Sequence, residues 1–487
     1  MATIICSNSF LSFLLHCLLI VGLELCFYEK GYGVEGRPQA VKSHQLHHPH
    51  AHLLHLSSLL PSSVCKPSTK GIKNGASLKL VHRHGPCSQL SQNPTPSLAQ
   101  ALAQDQSRVD SIHSKLTSPG DNFTSSDATL PATSGRPLGT GNYVVTVGLG
   151  TPKSDLILAF DTGSDLTWTQ CQPCPAKSCY NQTNPLFNPS ASASYSNTTC
   201  NSTACKKLAS ATSKPPGCSA STCVYTIVYG DQSYSQGWFA TDTLTLSPSD
   251  VFPGFQFGCG KNNNGLFGET SGLLGLGRND ISVVSQTAQK YGRVFSYCLP
   301  SAAGSTGHLT FGTNGGGFNS SVKFTPLTAN SRSSFHSLGL VGISVGGQKL
   351  SIAPTVFSSS GTIIDSGTVI TRLPPTAYAA LRSAFRQKMS NYTLTDPYEL
   401  FDTCYDLSKY DTVSVPTVSL LFGGGTEVPV DALGTLLGPS TAQLCLAFAG
   451  NKNDNEVGIF GNLQQVTYDV VYDVAGGKVG FGAGGCD

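Results

Sequence analysis

The chain has 487 residues, 30 Lys and Arg against 28 Asp and Glu, a formal charge of +2 and only 12% charged residues. That length suffices for two or three domains with sizeable cores, and the sparse charge without long runs argues against a disordered protein. The charge is +3 before Ala128 and −1 from there on, so the larger part is near neutral and offers no basic face for nucleic acid.

Taken in order, the chain opens with an apolar stretch at residues 9–28, containing Phe10 to Leu15 and Leu18 to Leu23. It reads as the core of a signal peptide over residues 1–30, long and without a basic residue ahead of it; a signal anchor is the alternative. Residues 31–130 read as a propeptide. A histidine-rich tract from His44 to His55 shows no ordered ligand set and is expected to be a solvated, removable linker. Behind Ser97, a candidate N-cap, Leu98, Leu102, Val109, Ile112 and Leu116 recur at helical spacing.

From Gly141 the pattern changes to short strands punctuated by Gly, Asn and Ser. Tyr143 to Leu149 alternates and turns at Thr151-Pro152. Helices are few, the best candidates being Asp280 to Tyr291 and Thr376 to Met389. Two lobes are expected, at residues 131–330 and 331–487.

The two lobes carry the same motif. Phe160-Asp161-Thr162-Gly163-Ser164 follows an apolar run, and Ile364-Asp365-Ser366-Gly367-Thr368 does the same 204 residues later. A second element repeats with it: Leu273-Leu274-Gly275 falls 112 residues after Asp161, and Ile459-Phe460-Gly461 starts 94 residues after Asp365. One Asp-x-Gly is as readily a β-turn as a site. Two copies at matched positions point to a duplicated lobe that brings two carboxylates together, which suits acid–base activation of water.

Twelve of the seventeen cysteines lie between Cys171 and Cys486, and in a secreted chain an even, dense set reads as six disulfides. Zinc is the rival for Cys171, Cys174 and Cys179, but no histidine lies near them. Sequons occur at Asn122, Asn181, Asn197, Asn201, Asn319 and Asn391.

These motifs resemble the pepsin-like aspartic proteases over residues 140–487, and within them the atypical plant group of nepenthesins and chloroplast-nucleoid-type proteases. Leu78 to Ser88 resembles that group's propeptide signature. The resemblance implies a mainly β, bilobal fold with the cleft between two duplicated lobes, Asp161 and Asp365 as the catalytic pair, and Tyr229-Gly230 as the flap. It places Trp168 where the family has a tryptophan bonded to the flap tyrosine. It also implies the pairs Cys171–Cys174, Cys179–Cys259, Cys200–Cys223, Cys205–Cys218, Cys298–Cys486 and Cys404–Cys445.

Two carboxylates about 3 Å apart cannot both ionise and so share a proton. One can take a proton from water while the other hydrogen-bonds the scissile carbonyl, with no metal, cofactor or covalent nucleophile required. Gly163 and Gly367 let the backbone turn tightly and come close to the carboxylates. Ser164 and Thr368 are expected to bond the outer carboxylate oxygens, and Thr162 and Ser366 to tie the loops together. Asp165 is expected to be structural.

The expected protein is thus an aspartic endopeptidase made as a secreted zymogen. Lys79, His82, Arg83 and His84 of the prosegment are expected to dock against an acidic cleft. Its partners would be a protein or peptide substrate and its own propeptide, with no nucleic acid and no stable membrane partner, and the protein would be a monomer. Its location would be extracellular or vacuolar, with the plastid as the alternative. The rival functions are an inhibitor-like binding protein of the same fold and a DNA-binding plastid protease.

Overall fold

The computed structural model describes residues 50–59, 63–70, 77–90, 97–117, 143–229, 232–300, 304–313, 320–329 and 334–486. The expected signal peptide, the first half of the histidine tract, Gly230, Asn122 and Asn319 lie outside these residues. None of the described helices is long and apolar enough to cross a membrane.

Each half builds the same four-strand unit around its Asp-x-Gly loop. In the first half, Ser154–Asp161 leads into the loop and Trp168–Gln170 leaves it. Gly272–Gly275 then lies parallel to the first strand, with Leu274 opposite Phe160 and Gly275 opposite Asp161. Asp250–Asn264 lies parallel to the exit strand. The second half repeats this with Thr362–Ile364, Thr371–Leu373, Gly458–Phe460 and Phe448–Gly450. The repeated apolar-Gly elements are therefore the strands that pack beside each Asp-bearing strand. All of Leu156 to Phe160 and Ile363 to Ile364 are buried, as expected for strands covered on both faces.

The halves share one sheet. Val294–Cys298 and Thr306–Phe311, late in the first half, continue into the C-terminal strands Asp469–Asp473 and Lys478–Gly482. A strand from before the first lobe, Ser77–His82, enters this sheet between Thr306–Phe311 and Tyr143–Leu149, with Leu78 and Leu80 buried. The histidine tract ends as a strand rather than a solvated linker. Ala51–His55 pairs antiparallel with Thr412–Pro416, and Leu54 and Leu56 are buried. Leu54 and Leu56, two positions apart, share the buried face, while Leu53 on the other face is 49% exposed.

The helix over Leu98–Thr117 forms behind a capping box. Gln100 N–H donates to Ser97 Oγ at 3.2 Å, and Ser97 N–H donates to Gln100 Oε1 at 3.0 Å. The stretch expected as a helix at Asp280 to Tyr291 breaks into Val283–Gln286 and Ala288–Tyr291, because Thr287 sits outside helical geometry (φ −100°). Pro375–Lys388 is a continuous helix that buries Ala377, Tyr378, Leu381 and Phe385.

Seven disulfides are formed among the described residues; two are as expected, four replace expected pairs and one is additional. Cys171 pairs with Cys259, and Cys174 with Cys179. The reason is sheet geometry: Thr169 is level with Cys259 on adjacent parallel strands, and Cys171 N–H donates to Gly260, so Cys171 and Cys259 face each other. Cys200 pairs with Cys218 and Cys205 with Cys223. Cys205 is buried on the inner face of the helix Thr203–Thr212, which packs on the strand carrying buried Cys223; exposed Cys218 is left to Cys200. Cys298 is joined to Cys486 and Cys404 to Cys445. A seventh bond, Cys65–Cys87, closes the segment ahead of the first lobe.

Candidate active site

Asp161 ends its strand and Asp365 directly follows the equivalent one; the two meet at the junction of the lobes, both buried. The two loops are tied reciprocally. Thr162 N–H donates to Ser366 Oγ at 3.1 Å, and Ser366 N–H donates to Thr162 Oγ1 at 2.9 Å. Gly163 N–H donates to Asp161 Oδ1 at 3.0 Å, and Gly367 N–H to Asp365 Oδ1 at 3.2 Å. The glycines are needed for close approach. A Cβ on Gly163 would stand 2.7 Å from Asp365 Oδ1, well inside contact distance.

The outer oxygens are not treated alike. Thr368 Oγ1 donates to Asp365 Oδ2 at 2.6 Å. The equivalent Ser164 makes no such bond: its hydroxyl and Asp161 Oδ2 are both buried without a partner. Ser164 was expected to hold Asp161 and, in this state, does not. Asn462 Nδ2 donates to Ser366 O at 2.8 Å, a support that the sequence reading missed.

Tyr229 follows the strand Thr222–Val228 and begins a tight turn, accepting from Gln232 N–H at 3.1 Å and donating to Ser233 O at 2.8 Å. Trp168 Nε1 donates to the Tyr229 hydroxyl at 2.8 Å, and Phe267 stands edge-on to both rings. Tyr225 is instead a core residue, its hydroxyl paired with Ser235 Oγ at 2.6 Å. A space of about 110 Å³ remains between Tyr229, Asp161, Ser164 and Phe335.

Asp165 is fully buried behind the first loop, accepting from Asn279 N–H at 2.9 Å and from the Ser334 hydroxyl. Burial pushes its carboxyl up to about 6, against the pull of those hydrogen bonds. It braces the loop from behind and does not join the pair.

The cleft is filled by the helix Leu98–Thr117. Arg108 lies across both acids: its terminal nitrogen donates to Asp161 Oδ1 at 2.8 Å and to Asp365 Oδ1 at 2.9 Å, and Nε donates to Asp365 Oδ2 at 2.9 Å. Burial opposes ionisation of Asp365, but the charge and hydrogen bonds of Arg108, with Thr368 and Gly367, hold its carboxyl below the usual range. Burial likewise works against the Arg108 charge, and the two carboxylates overcome it. One turn earlier, Asp105 binds Val369 N–H at 2.6 Å, Ile370 N–H at 3.2 Å and Arg372 at 3.0 Å.

Of the basic residues expected in the cleft, only Arg83 reaches it: it lines a space with Arg108, Asp161 and Tyr229 and donates to Phe267 O, without bonding either acid. Lys79 is exposed on its strand, His82 stacks edge-on against Tyr143, and His84 lies against His82. They were singled out because they cluster in sequence, whereas the contact is made from a helix face. The available signal was that Asp105 and Arg108 interrupt the apolar stripe from Leu98 to Ile112, a position where a charge must find a buried partner.

Two β lobes that each offer one buried carboxylate to a shared loop pair define the class of pepsin-like proteins. Xylanase inhibitor N-terminal and C-terminal family models match residues 143–313 and 336–483. An aspartyl protease family protein of Arabidopsis thaliana is 54% identical over 90% of this chain and 93% of its own. The aspartyl protease AED1 of the same plant is 50% identical over 98% of this chain and 99% of its own. Nepenthesin-2, an aspartic proteinase of Nepenthes gracilis, is 37% identical over 70% of this chain and 77% of its own. Among solved structures, soybean basic 7S globulin superposes with a TM-score of 0.57 at 22% identity, covering 71% of this chain and 95% of its own. The chain belongs to the aspartyl protease family, with the pepsin-like fold, and is an aspartic endopeptidase acting on peptide substrates.

Proposed function

We propose that the chain is made as a secreted, latent precursor in which Asp161 and Asp365 are the catalytic pair and the helix Leu98–Thr117 is the inhibitor. The observation that carries this is the Arg108 guanidinium bonded to both carboxylates at once, where substrate and water must go. With Arg108 in place its donors occupy both carboxyl groups and hold Asp365 ionised, so the pair cannot take up water and a carbonyl. Removal of the helix leaves two adjacent carboxylates to share one proton.

The chemistry then needs only these groups. The ionised carboxylate takes a proton from water as the water oxygen bonds to the scissile carbon, and the protonated one donates to the carbonyl oxygen. The tetrahedral product collapses with proton transfer to the leaving nitrogen, the C–N bond breaks, and the pair returns to its starting state. The Thr162–Ser366 tie fixes the loops, while Tyr229, held by Trp168, and Gly230 beside it form a flap that covers substrate.

Residues 1–30 act as the signal peptide and 31–130 as the propeptide, ahead of lobes at 131–330 and 331–487. The disulfides suit the oxidising secretory route. Exposure of Asn181, Asn197, Asn201 and Asn391 suits glycosylation there. Peptidase assay of the purified precursor before and after removal of residues 31–130 tests this. The precursor is expected to be silent at neutral pH, and equal activity of both forms would overturn it.

A further inference from the structure

Helix Leu98–Thr117 fills the cleft with side chains other than Arg108, and these mark what the open cleft accepts. Leu102 joins a cluster with Ile370, Phe401 and Ala449, and Val109 and Ile112 join one with Phe335, Ile363 and Val457. Between these apolar contacts sits a carboxylate. Asp105 is fully buried and is met by three donors: Val369 N–H, Ile370 N–H and the Arg372 guanidinium. Val369, Ile370 and Arg372 belong to the segment that leaves the Asp365 loop, Arg372 in the strand Thr371–Leu373 and the other two just ahead of it.

Arg372 is itself almost completely buried, 1% exposed. One of its nitrogens donates to Ile370 O at 2.8 Å, which fixes the guanidinium, and Nε is buried without a partner. Among the described residues, the acid in ion-pair contact with Arg372 is Asp105, on the segment that leaves when the precursor is processed. A buried arginine stripped of its carboxylate is costly, and two backbone N–H groups lose their acceptor with it. The vacated place is then a preformed receptor for an anion of carboxylate geometry.

We propose that Val369 N–H, Ile370 N–H and Arg372 form a subsite for an acidic substrate side chain, so that the processed enzyme favours Asp or Glu at one fixed position near the scissile bond. This rests on the helix being a propeptide that departs. Asp105 and Arg108 are one helical turn apart, about 5 Å along the axis. The same span covers only one or two residues of extended substrate. The preferred position is therefore within a few residues of the bond that is cut.

The test uses processed enzyme and matched peptides carrying Glu, Gln or Lys at each position around the cleaved bond, assayed above the ordinary Glu pKa of about 4.3. One position is expected to show kcat/KM roughly tenfold or more higher for Glu than for Gln, the scale of a charge-assisted hydrogen bond. Arg372→Gln is expected to bring the Glu-to-Gln ratio of kcat/KM, read on one enzyme preparation, down to about one. Arg372→Lys should retain part of the preference, and Arg372→Glu should turn it toward Lys. Wild-type enzyme that cleaves well with no acidic preference overturns the subsite and leaves the proposed function standing, as does an Arg372→Gln variant that keeps the preference. Processed enzyme that cleaves none of the peptides overturns the proposed function and the subsite together.

Discussion

Arg108 and Asp365 meet through two parallel hydrogen bonds, each 2.9 Å, while the same guanidinium reaches Asp161 at 2.8 Å. One side chain from outside the lobes thus occupies both members of the acid pair. The geometry leaves little slack. A Cβ on Gly367 would lie 2.3 Å from an Arg108 nitrogen. The glycines that let the loops turn near the carboxylates also make room for the arginine.

Loss of either acid should abolish catalysis without loss of fold. General acid–base assistance contributes about 10²–10⁴-fold in rate. Asp161→Asn or Asp365→Asn in the processed enzyme should therefore lower kcat by at least roughly a hundredfold, since each acid takes part in every proton transfer. Thermal unfolding followed alongside the peptidase assay would show whether the fold survives. Activity within a few fold of wild type would contradict the assignment.

Acidification should loosen the helix. The Asp365 carboxyl is held below its ordinary value by Arg108 against the effect of burial. A lowered carboxylate pKa stabilises the docked state above the pKa of the released pair and loses that contribution as pH falls through the docked value. In the released pair one carboxyl is raised by its neighbour, which widens the window upward. Asp105 acts in the opposite sense: burial raises its carboxyl despite Arg372 and two backbone donors, so acid does not weaken its seat in the same way. Leu102, Val109 and Ile112 add about 1.5–3 kcal/mol each by burial, independent of pH. Acid alone is then expected to expose the site only partly, with cleavage of the chain completing release. Protease sensitivity of residues 97–117 as a function of pH reports this, and equal protection at acid and neutral pH would contradict it.

The Trp168–Tyr229 bond should matter for turnover more than for stability. It joins a buried strand residue to the start of the flap at 2.8 Å. A neutral hydrogen bond is worth about 1 kcal/mol, so Tyr229→Phe should lower kcat/KM by roughly fivefold and barely move the unfolding midpoint. The peptidase assay and a thermal melt on the same protein check both halves of the statement.

Much of this was legible in the sequence because it is local or repeated. The two Asp-x-Gly loops and the apolar-Gly strands at Leu273 and Ile459 sit in short segments whose pattern survives without knowledge of the fold. The N-cap at Ser97 was visible for the same reason, and the flap at Tyr229 through the family resemblance. What was not legible depends on which strands become neighbours. Cys171 is only three residues from Cys174, but its strand lies beside the one carrying Cys259. Cys218 and Cys223 lie directly opposite on a hairpin, and the buried face of the helix at Cys205 decides which of the two it meets. Arg108 was hidden because a charge on an isolated helix reads as solvated, and only the assembled cleft supplies its two partners. Ser164 fell outside expectation: its hydroxyl and Asp161 Oδ2 are both left unbonded, while Arg108 and Gly163 bond Asp161 through Oδ1.

The most direct measurement compares intact precursor with its Arg108→Gln variant, both purified uncleaved and assayed for peptidase activity at neutral and mildly acidic pH. Breaking a buried charge contact costs about 2–5 kcal/mol, so the variant should gain activity by at least roughly tenfold over the silent wild-type precursor, and the two should become equal once residues 31–130 are removed. A wild-type precursor already as active as the processed enzyme, or a variant no more active than wild type while uncleaved, would contradict the account.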